Sequence, residues 1–370
     1  MNKDELLLES LKNIDLSPTM EENARRKYKA VSEYLENHGL LLDFYPQGSF
    51  KMGTVIRPRK ESKDGNYDLD ILAITKTLKS ETTPRQVKES IGQVLKFSDR
   101  YRSKLAKEDV HCWTLQYAED SAGFGFNLDL VPSAKESTEV ILLNKSLEVP
   151  FEYADKLIAI TKKNNDQYDW KTSNSLGFSD WFLDNNRNFL TNEVKERRKF
   201  RYRNELLEIY GSVERIPDYQ FKTNLQRAIQ IAKRHRDIYY ERSYSKDKPS
   251  SMLLTALITD AVKESHNLTI EQILLVFCQS FLSEKISIQK DSKILNPVDP
   301  NENLIQSFNT ADLQRFHNWV IKMYELILEN NERTFKQSLN KAIDTRIFVD
   351  VFDGIKSVTP VQPWRVSIEE

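Results

Sequence analysis

Two segments of the chain alternate apolar and polar residues with the period of a β-strand. Residues 67–74 read YDLDILAI and follow the turn signal DGN at 64–66. Residues 123–131 read GFGFNLDLV, with phenylalanine and leucine on one face and glycine, Asn127 and Asp129 on the other. We expect Pro132 to end this second strand, because proline cannot donate to a strand ladder. The pattern predicts two strands that each carry acid on a polar face.

The acids on these strands point to a metal ion. Asp68 and Asp70 are two residues apart, so their side chains share one face of the predicted strand. Two carboxylates repel unless a positive charge lies between them, and a hard divalent cation such as Mg²⁺ prefers oxygen ligands of this kind. Asp129 is a third carboxylate on a sheet surface. It can join the first pair if the two strands are neighbours.

A glycine-serine turn precedes the first acidic strand. Residues 45–56 read YPQGSFKMGTVI, so Gly48 and Ser49 follow a strand predicted over 40–45 and precede a short helical segment. Glycine allows a ligand to approach the backbone closely, and the N–H groups at the start of a helix favour phosphate. Carboxylates for a metal beside a turn for phosphate are the layout that a nucleotide-polymerising site needs.

Most of the remaining chain has helical spacing of its apolar residues. The predicted helices cover residues 5–12, the segment between Ser17 and Gly39, and 84–96, 221–241, 252–262, 311–330 and 331–344. A further strand is predicted over 110–117. Residues 164–175 are polar and turn-like, which favours a crossover between domains. Two prolines and several Asp and Asn residues predict a rigid loop over 294–303.

Composition and charge narrow the class of protein. A chain of 370 residues is long enough for two domains, and a net charge of −1 argues against binding nucleic acid over a broad surface. Cys112 and Cys278 are far apart and form no metal-ligand cluster, which favours a reducing compartment. No apolar run reaches the ~20 residues of a membrane span. We therefore expect a cytoplasmic protein that does not span a membrane.

Two other segments carry candidate chemistry but receive no role in the site. The run RRKFRYR at 197–203 interleaves aromatic residues with charge, as in some RNA-binding surfaces, although a charged helix face is the preferred interpretation. His111, Cys112 and Trp113 fall in one predicted strand, and we interpret them as core residues.

The motifs together resemble a known superfamily. Gln47-Gly48-Ser49 with Gly53-Thr54, Asp68-Leu69-Asp70 and Asp129 is similar to the DNA-polymerase-β-like nucleotidyltransferases. Within them the chain most resembles the bacterial relatives of cyclic GMP-AMP synthase, the CD-NTase second-messenger synthases, over residues 19–304. Residues 294–303 resemble the Asp-Pro-rich loop of oligoadenylate synthetases. The resemblance implies an α+β, bilobed fold with a mixed-sheet catalytic lobe over 1–170, N-terminal helices included, and a mostly helical nucleotide-binding lobe over 171–370.

The resemblance also implies a division of labour among the three acids. Two Mg²⁺ ions, for which Mn²⁺ could substitute, would lie between Asp68, Asp70 and Asp129. Asp68 and Asp70 would hold the metal on the donor triphosphate. Asp129 would complete the metal that lowers the pKa of the acceptor ribose hydroxyl.

Further residues are implied to bind the nucleotides. Gln47, Gly48 and Ser49 would hold the phosphates of the donor, and Lys233 and Ser251 match positions at which relatives grip the triphosphate from the second lobe. Ser250 is an equally placed alternative to Ser251. The simpler interpretations are a solvated lysine and a serine that caps a helix. Met252 stands where the animal enzyme has a stacking aromatic residue, which leaves the choice of base open.

The implied activity is the joining of ribonucleoside triphosphates, ATP among them, into a cyclic di- or trinucleotide with release of pyrophosphate, in bacterial anti-phage signalling. The first alternative is a template-independent nucleotidyltransferase that acts on RNA or a small molecule. The second is a degraded relative that only binds, against which the three intact aspartates argue. No His/Cys cluster matches the zinc insertion of the animal enzyme, so we expect no zinc-dependent DNA sensing. A monomer with a regulatory protein partner is the expected assembly.

Overall fold

The computed structural model describes residues 2–58, 66–118, 125–190, 213–214, 221–243, 248–283 and 292–345. The run at 197–203 therefore lies outside the described residues. The helices are α1 (Lys3–Leu11), α2 (Pro18–Asn37), α3 (Gly48–Met52), α4 (Pro84–Phe97), α5 (Asp99–Arg102), α6 (Thr138–Ser146), α7 (Phe151–Ala154), α8 (Ser175–Asn186), α9 (Asn224–Arg242), α10 (Ser251–Val262), α11 (Ile270–Ser283), α12 (Thr310–Leu328) and α13 (Glu332–Ile343). The strands are β1 (Leu42–Pro46), β2 (Asn66–Thr75), β3 (Trp113–Tyr117), β4 (Gly125–Lys135), β5 (Ile158–Asn164), β6 (Gln167–Ser173), β7 (Leu295–Asn296) and β8 (Asp299–Asn303).

A six-stranded mixed sheet forms one half of the molecule. Its order is β1-β2-β4-β5-β6, and β3 also pairs with β4. β2 and β4 are parallel over ten residue pairs, from Asn66 opposite Gly125 to Thr75 opposite Ala134. The other pairs in this sheet are antiparallel. The mixed sheet and the helical remainder confirm the predicted α+β class.

β4 does not end at Pro132, so the prediction of a strand stop there is wrong. On one side of β4, residues 126–130 pair with β3 and residues 133–135 pair with β5. Pro132 falls between these two partners. A proline is tolerated in a strand where no ladder hydrogen bond depends on its missing N–H. The strand therefore passes through the proline as its neighbour on that side changes.

One hydrophobic core lies between the sheet and helices α2 and α4. The apolar residues of β2 and β4 that alternate with the polar face are buried, as the pattern predicted. Trp113 is 2% exposed and packs in this core, which agrees with its interpretation as a core residue. The buried residues that α2, α4, β2 and β4 contribute to this core include Tyr28, Val31, Leu35, Leu69, Ile71, Ile91, Leu95, Phe126, Leu128 and Leu130.

A second core joins α1 and α8 to the helices of the C-terminal half. Leu6 and Leu7 of α1 are fully buried in it, so α1 packs with the helical lobe although the prediction placed it in the sheet lobe. The predicted boundary at residue 170 falls inside β6. Residues 164–175 are therefore mainly a strand of the six-stranded sheet and not a crossover. Asn165, with φ 54°, makes the turn between β5 and β6.

The remaining predicted elements agree with the structure except for one strand start and one loop. β3 begins at Trp113 instead of residue 110, so His111 and Cys112 precede the strand and are half-buried, and their interpretation as core residues of the strand is wrong. The predicted helices are confirmed by α1, α2, α4, α9, α10, α12 and α13. Residues 294–303 form the small hairpin β7–β8 instead of a plain rigid loop. Asn174 Nδ2 donates to Val298 O at 2.7 Å and ties the turn of this hairpin to the start of α8. Among the described helices, none is long and apolar enough to cross a bilayer.

Candidate active site

Two of the predicted acids face each other across neighbouring strands. β2 and β4 are parallel neighbours, and their register places Asp70 directly opposite Asp129. Asp68 lies on the same face of β2 and stands opposite Asn127. Asp70 and Asp129 are half-buried, whereas Asp68 is exposed. The alternation of each strand thus brings all three carboxylates to one face of the sheet.

Neutral side chains donate hydrogen bonds to Asp68 and Asp129. Thr114 on β3 donates from Oγ1 to Asp129 Oδ1 at 2.5 Å. Asn127 Nδ2 donates to Asp68 Oδ1 at 2.9 Å, and Asn66 Nδ2 donates to Asn127 Oδ1 at 3.0 Å. None of these three neutral residues was predicted from the sequence. The signal for Asn127 was its place on the polar face of β4, two residues before Asp129.

The carboxylates repel one another. Burial raises the pKa of Asp70 to about 7, and the charges of Asp129 and Asp68 act in the same direction. Burial also raises the pKa of Asp129, against the opposing effect of the Thr114 hydrogen bond. Within the described ranges no lysine or arginine forms an ion pair with Asp70 or Asp129. Asp70 and Asp129 therefore carry negative charge that no lysine or arginine of the described ranges pairs with.

The turn before α3 touches this acidic face. Gly48 has φ +62°, and a Cβ built on it would lie 3.0 Å from Asp70 Oδ2. Gln47 N donates to Asp70 O at 2.9 Å, which fixes the turn to β2. A side chain at position 48 would combine an unfavourable backbone conformation with a close contact to the acid. The chain thus places Gly48 and the half-buried Ser49 immediately beside Asp70.

The three residues predicted to contact the nucleotide from the helical lobe, Lys233, Ser250 and Ser251, differ in burial and in hydrogen-bond partners. Lys233 on α9 is 2% exposed, and its Nζ donates to Thr54 O and Thr54 Oγ1 at 3.0 Å each. Ser250 is the N-cap of α10 and accepts from Leu253 N at 3.1 Å. Ser251 is exposed, and its Oγ accepts from Arg236 at 3.3 Å. Ser250 therefore caps the helix, and Ser251 keeps an accessible hydroxyl.

Lys233 belongs to a buried row of donors on α9 that the sequence did not predict. Gln226 Nε2 donates to Met52 O and Gln230 Nε2 donates to Val55 O, each at 2.7 Å. With Lys233, these side chains follow the i, i+4, i+7 spacing of one helix face. We call Gln226, Gln230 and Lys233 the α9 row. It binds three carbonyl groups of residues 52–55, at the end of α3 and just after it, and so joins the glycine-serine turn to the helical lobe.

The acidic face suits magnesium. Among the described residues, no three acidic, histidine or cysteine side chains form a closed ligand set around one point. Mg²⁺ needs no such set, because it keeps several waters and is usually held by one or two carboxylates together with substrate phosphates. Asp70 and Asp129, in register and without an ion-pair partner in the described part of the chain, supply that kind of open oxygen site.

The sequence matches a family model and curated relatives. Residues 1–186 match the family described as Second Messenger Oligonucleotide or Dinucleotide Synthetase domain, SMODS. A c-di-GMP synthase of Roseivirga ehrenbergii is 28% identical over 341 residues, which cover 89% of this chain and 77% of that protein. The cyclic dinucleotide synthase CdnG of Bradyrhizobium diazoefficiens is 28% identical over 264 residues, which cover 68% of this chain and 56% of that protein.

Solved structures show the same fold. The CD-NTase CdnG of Bradyrhizobium diazoefficiens, in complex with GTP, has a TM-score of 0.65 at 19% identity and covers 93% of this chain and 99% of that chain. CdnC of Escherichia coli MS115-1, in a complex with a HORMA protein, has a TM-score of 0.59 at 10% identity and covers 92% of this chain and 96% of that chain. At these identities the structures support the architecture.

Proposed function

The chain belongs to the SMODS family of second messenger oligonucleotide or dinucleotide synthetases, and we propose that it joins two ribonucleoside triphosphates into a cyclic dinucleotide. It is a nucleotidyltransferase that makes a second messenger. Both curated relatives are cyclic dinucleotide synthases, and one is a c-di-GMP synthase. We therefore propose a two-nucleotide ring, with GTP as a substrate beside the ATP expected from the sequence.

The register of Asp70 with Asp129, beside Gly48, is the observation that carries this proposal. The two half-buried carboxylates would hold Mg²⁺, with Asp68 next to them on β2. The ion, when bound, would lower the pKa of the attacking hydroxyl and neutralise charge on the phosphates. The acids that hold it lie on adjacent strands of one sheet, so their spacing is set by the ladder between β2 and β4. That rigidity supports precise alignment of the reacting groups.

Binding of the donor nucleotide is assigned to the turn and to the helical lobe. Gln47, Gly48 and Ser49 would hold its phosphates, because glycine leaves the backbone open and the Ser49 hydroxyl makes no hydrogen bond to the described residues. Ser251 would contact the triphosphate from the helical lobe, with Ser250 as the alternative. Lys233, whose Nζ donates to Thr54, would support the segment that follows the turn.

The resemblance to this family also supports a proposal about the cellular setting. We propose that the enzyme works in the cytoplasm with Mg²⁺, which Mn²⁺ can replace, and that its product signals in defence against phage. A regulatory protein partner is part of the proposal, since the structural neighbour CdnC is found in a complex with a HORMA protein. We propose a monomer as the catalytic unit.

Incubation of the purified protein with labelled GTP or ATP and Mg²⁺ tests the proposal. Products that resist phosphatase and migrate as cyclic dinucleotides are expected from the wild-type protein and not from Asp70→Asn. Label transferred to added RNA, without cyclic product, would support the alternative of an RNA-directed transferase. Absence of any product from every triphosphate and both metal ions would contradict the assignment as a synthase.

A further inference from the structure

We propose that Thr114 and Asn127 are positioning residues that hold Asp129 and Asp68 in the orientation that binds the metal ion. The inference rests on the proposed function, because it concerns the same site. It adds to the site two neutral side chains from β3 and β4, together with Asn66, which orients one of them.

Thr114 is built to hold Asp129 in one orientation. The antiparallel register of β3 with β4 places Thr114 directly opposite Asp129, and the two side chains are joined at 2.5 Å. Threonine is branched at Cβ, so its χ1 angle is restricted and the hydroxyl direction is stiff. A hydroxyl that donates to Oδ1 leaves Oδ2 and the remaining lone pairs of the carboxylate for a cation.

Asn127 holds Asp68 through a chain of amides. Its Nδ2 donates to Asp68, and its Oδ1 accepts from Asn66, so the side chain is fixed at both ends. Gly125 makes room for this chain, because a Cβ there would lie 1.9 Å from Asn66 Oδ1. Asp68 itself lies at an exposed position. The amide chain therefore restricts the side chain of an acid at the surface.

The neutrality of these donors is the reason to connect them with a ligand. A lysine or arginine at position 114 or 127 would relieve the repulsion among the acids, and it would also compete with a bound cation. Threonine and asparagine orient carboxylates without removing negative charge from the face. Outer partners of metal ligands act in this way, and their loss typically lowers metal affinity about 10–100-fold.

Binding of Mn²⁺ alone, followed by electron paramagnetic resonance of the free ion, tests the inference without relying on turnover. Thr114→Val keeps the shape and removes the hydroxyl, whereas Thr114→Ser keeps the hydroxyl. We expect Thr114→Val and Asn127→Leu to bind Mn²⁺ about 10–100-fold more weakly than the wild type, and Thr114→Ser to bind it nearly as tightly. Gln314→Ala, at an exposed position on α12, is the control and should leave binding unchanged.

A thermal melt of each variant separates misfolding from a lost orientation. If Thr114→Val has the melting temperature of the wild type and binds Mn²⁺ equally well, the inference is overturned. It is also overturned if the wild-type protein binds no Mn²⁺. If Thr114→Val does not fold, Asn127→Leu decides by the same measurements. The product assay of the wild type tests the proposed function separately, so a protein that binds Mn²⁺ through Thr114 but makes no cyclic product would refute only the latter. At saturating Mn²⁺ the kcat of Thr114→Val should recover towards that of the wild type.

Discussion

The acidic face lies beside the start of α3, whereas the α9 row binds carbonyl groups at the end of α3 and just after it. The polar groups of these two regions are arranged in opposite ways. In the acidic face, Asp68, Asp70 and Asp129 point the same way and raise each other's energy. In the α9 row, Gln226 and Gln230 are fully buried, and each reaches a carbonyl group at 2.7 Å. A repelling cluster costs stability until something positive binds. The buried hydrogen bonds from the α9 row to carbonyl groups instead stabilise one arrangement of the backbone, and within the described residues Gln230 Oε1 is the atom of the row left without a partner. The acidic face therefore has the electrostatics of a ligand-binding site, whereas the α9 row has those of a structural support for it.

Asp70 in the acidic face and Lys233 in the α9 row both have shifted pKa values, and they differ in what offsets the cost of their charge. The pKa of the Asp70 carboxyl is raised to about 7, so the fold disfavours its charged form. Burial lowers the pKa of Lys233 to about 7, with the charge of Arg236 acting in the same direction. The fold therefore disfavours charge at both places. A metal ion can relieve the first cost, while the two bonds from Lys233 to Thr54 offset part of the second.

The largest effect is expected from removing charge on the acidic face. Asp68→Asn combined with Asp70→Asn should lower turnover by about 10³-fold or more, because a bound metal ion supplies several kcal/mol of transition-state stabilisation. The melting temperature in EDTA should not fall, since the change removes repulsion. The initial rate measures the loss of turnover, and a melting curve in EDTA measures the effect on stability. A double variant that retains its activity would contradict the assignment of the metal ligands.

The pH dependence of stability should show the cost of the acidic face directly. The folded pKa of Asp70, about 7, lies above the unfolded value of 3.8, so the folded chain binds more protons between these limits. Stability of the metal-free protein should therefore fall as the pH rises from about 4 to about 7, by an amount on the order of 2–4 kcal/mol at ~1.4 kcal/mol per pKa unit.

Urea unfolding in EDTA at pH 5 and pH 8 measures this change. Asp70→Asn is the control, because it lacks the titrating group and should lose less stability over the same interval. Mg²⁺ should restore stability to the wild type at pH 8 and have little effect on Asp70→Asn. Equal pH profiles for the two proteins would show that the carboxyl is not perturbed.

A substitution in the α9 row should mainly lower the free energy of unfolding and should affect catalysis only indirectly. Gln230→Leu leaves the carbonyl group of Val55 without its donor, and an unsatisfied buried polar group costs about 1–3 kcal/mol. The turn that carries Gly48 should also become less well placed, which would raise the KM for the nucleotide. Gln314→Leu on the exposed side of α12 is the matched control, with an expected change within about 0.5 kcal/mol. A variant at 230 as stable as this control would show that the row is dispensable.

The sequence alone predicted the acidic face better than the α9 row, for a physical reason. Strand alternation is a local property, so the order of residues is enough to put Asp68, Asp70 and Asp129 on polar faces. That β2 and β4 are parallel neighbours, with Asp70 opposite Asp129, is a long-range fact that no local pattern encodes. Lys233, Arg234 and Arg236 are charged residues of α9, and such residues are mostly exposed in proteins, yet all three are buried. Polar residues that are buried by a partner segment look the same in sequence as solvated ones.

The smallest effect is expected at two adjacent serines, Ser250 and Ser251. The comparison tests whether one of them supports the fold while the other binds the nucleotide. Ser250 caps α10 through the N–H of Leu253, so Ser250→Ala should cost about 1 kcal/mol of stability and leave the KM for the nucleotide nearly unchanged. Ser251→Ala should leave stability within about 0.5 kcal/mol and raise that KM. Urea unfolding and steady-state kinetics on both variants make the comparison. If Ser250→Ala raises the KM while Ser251→Ala does not, the triphosphate contact belongs to Ser250, and the helix cap itself is part of the binding site.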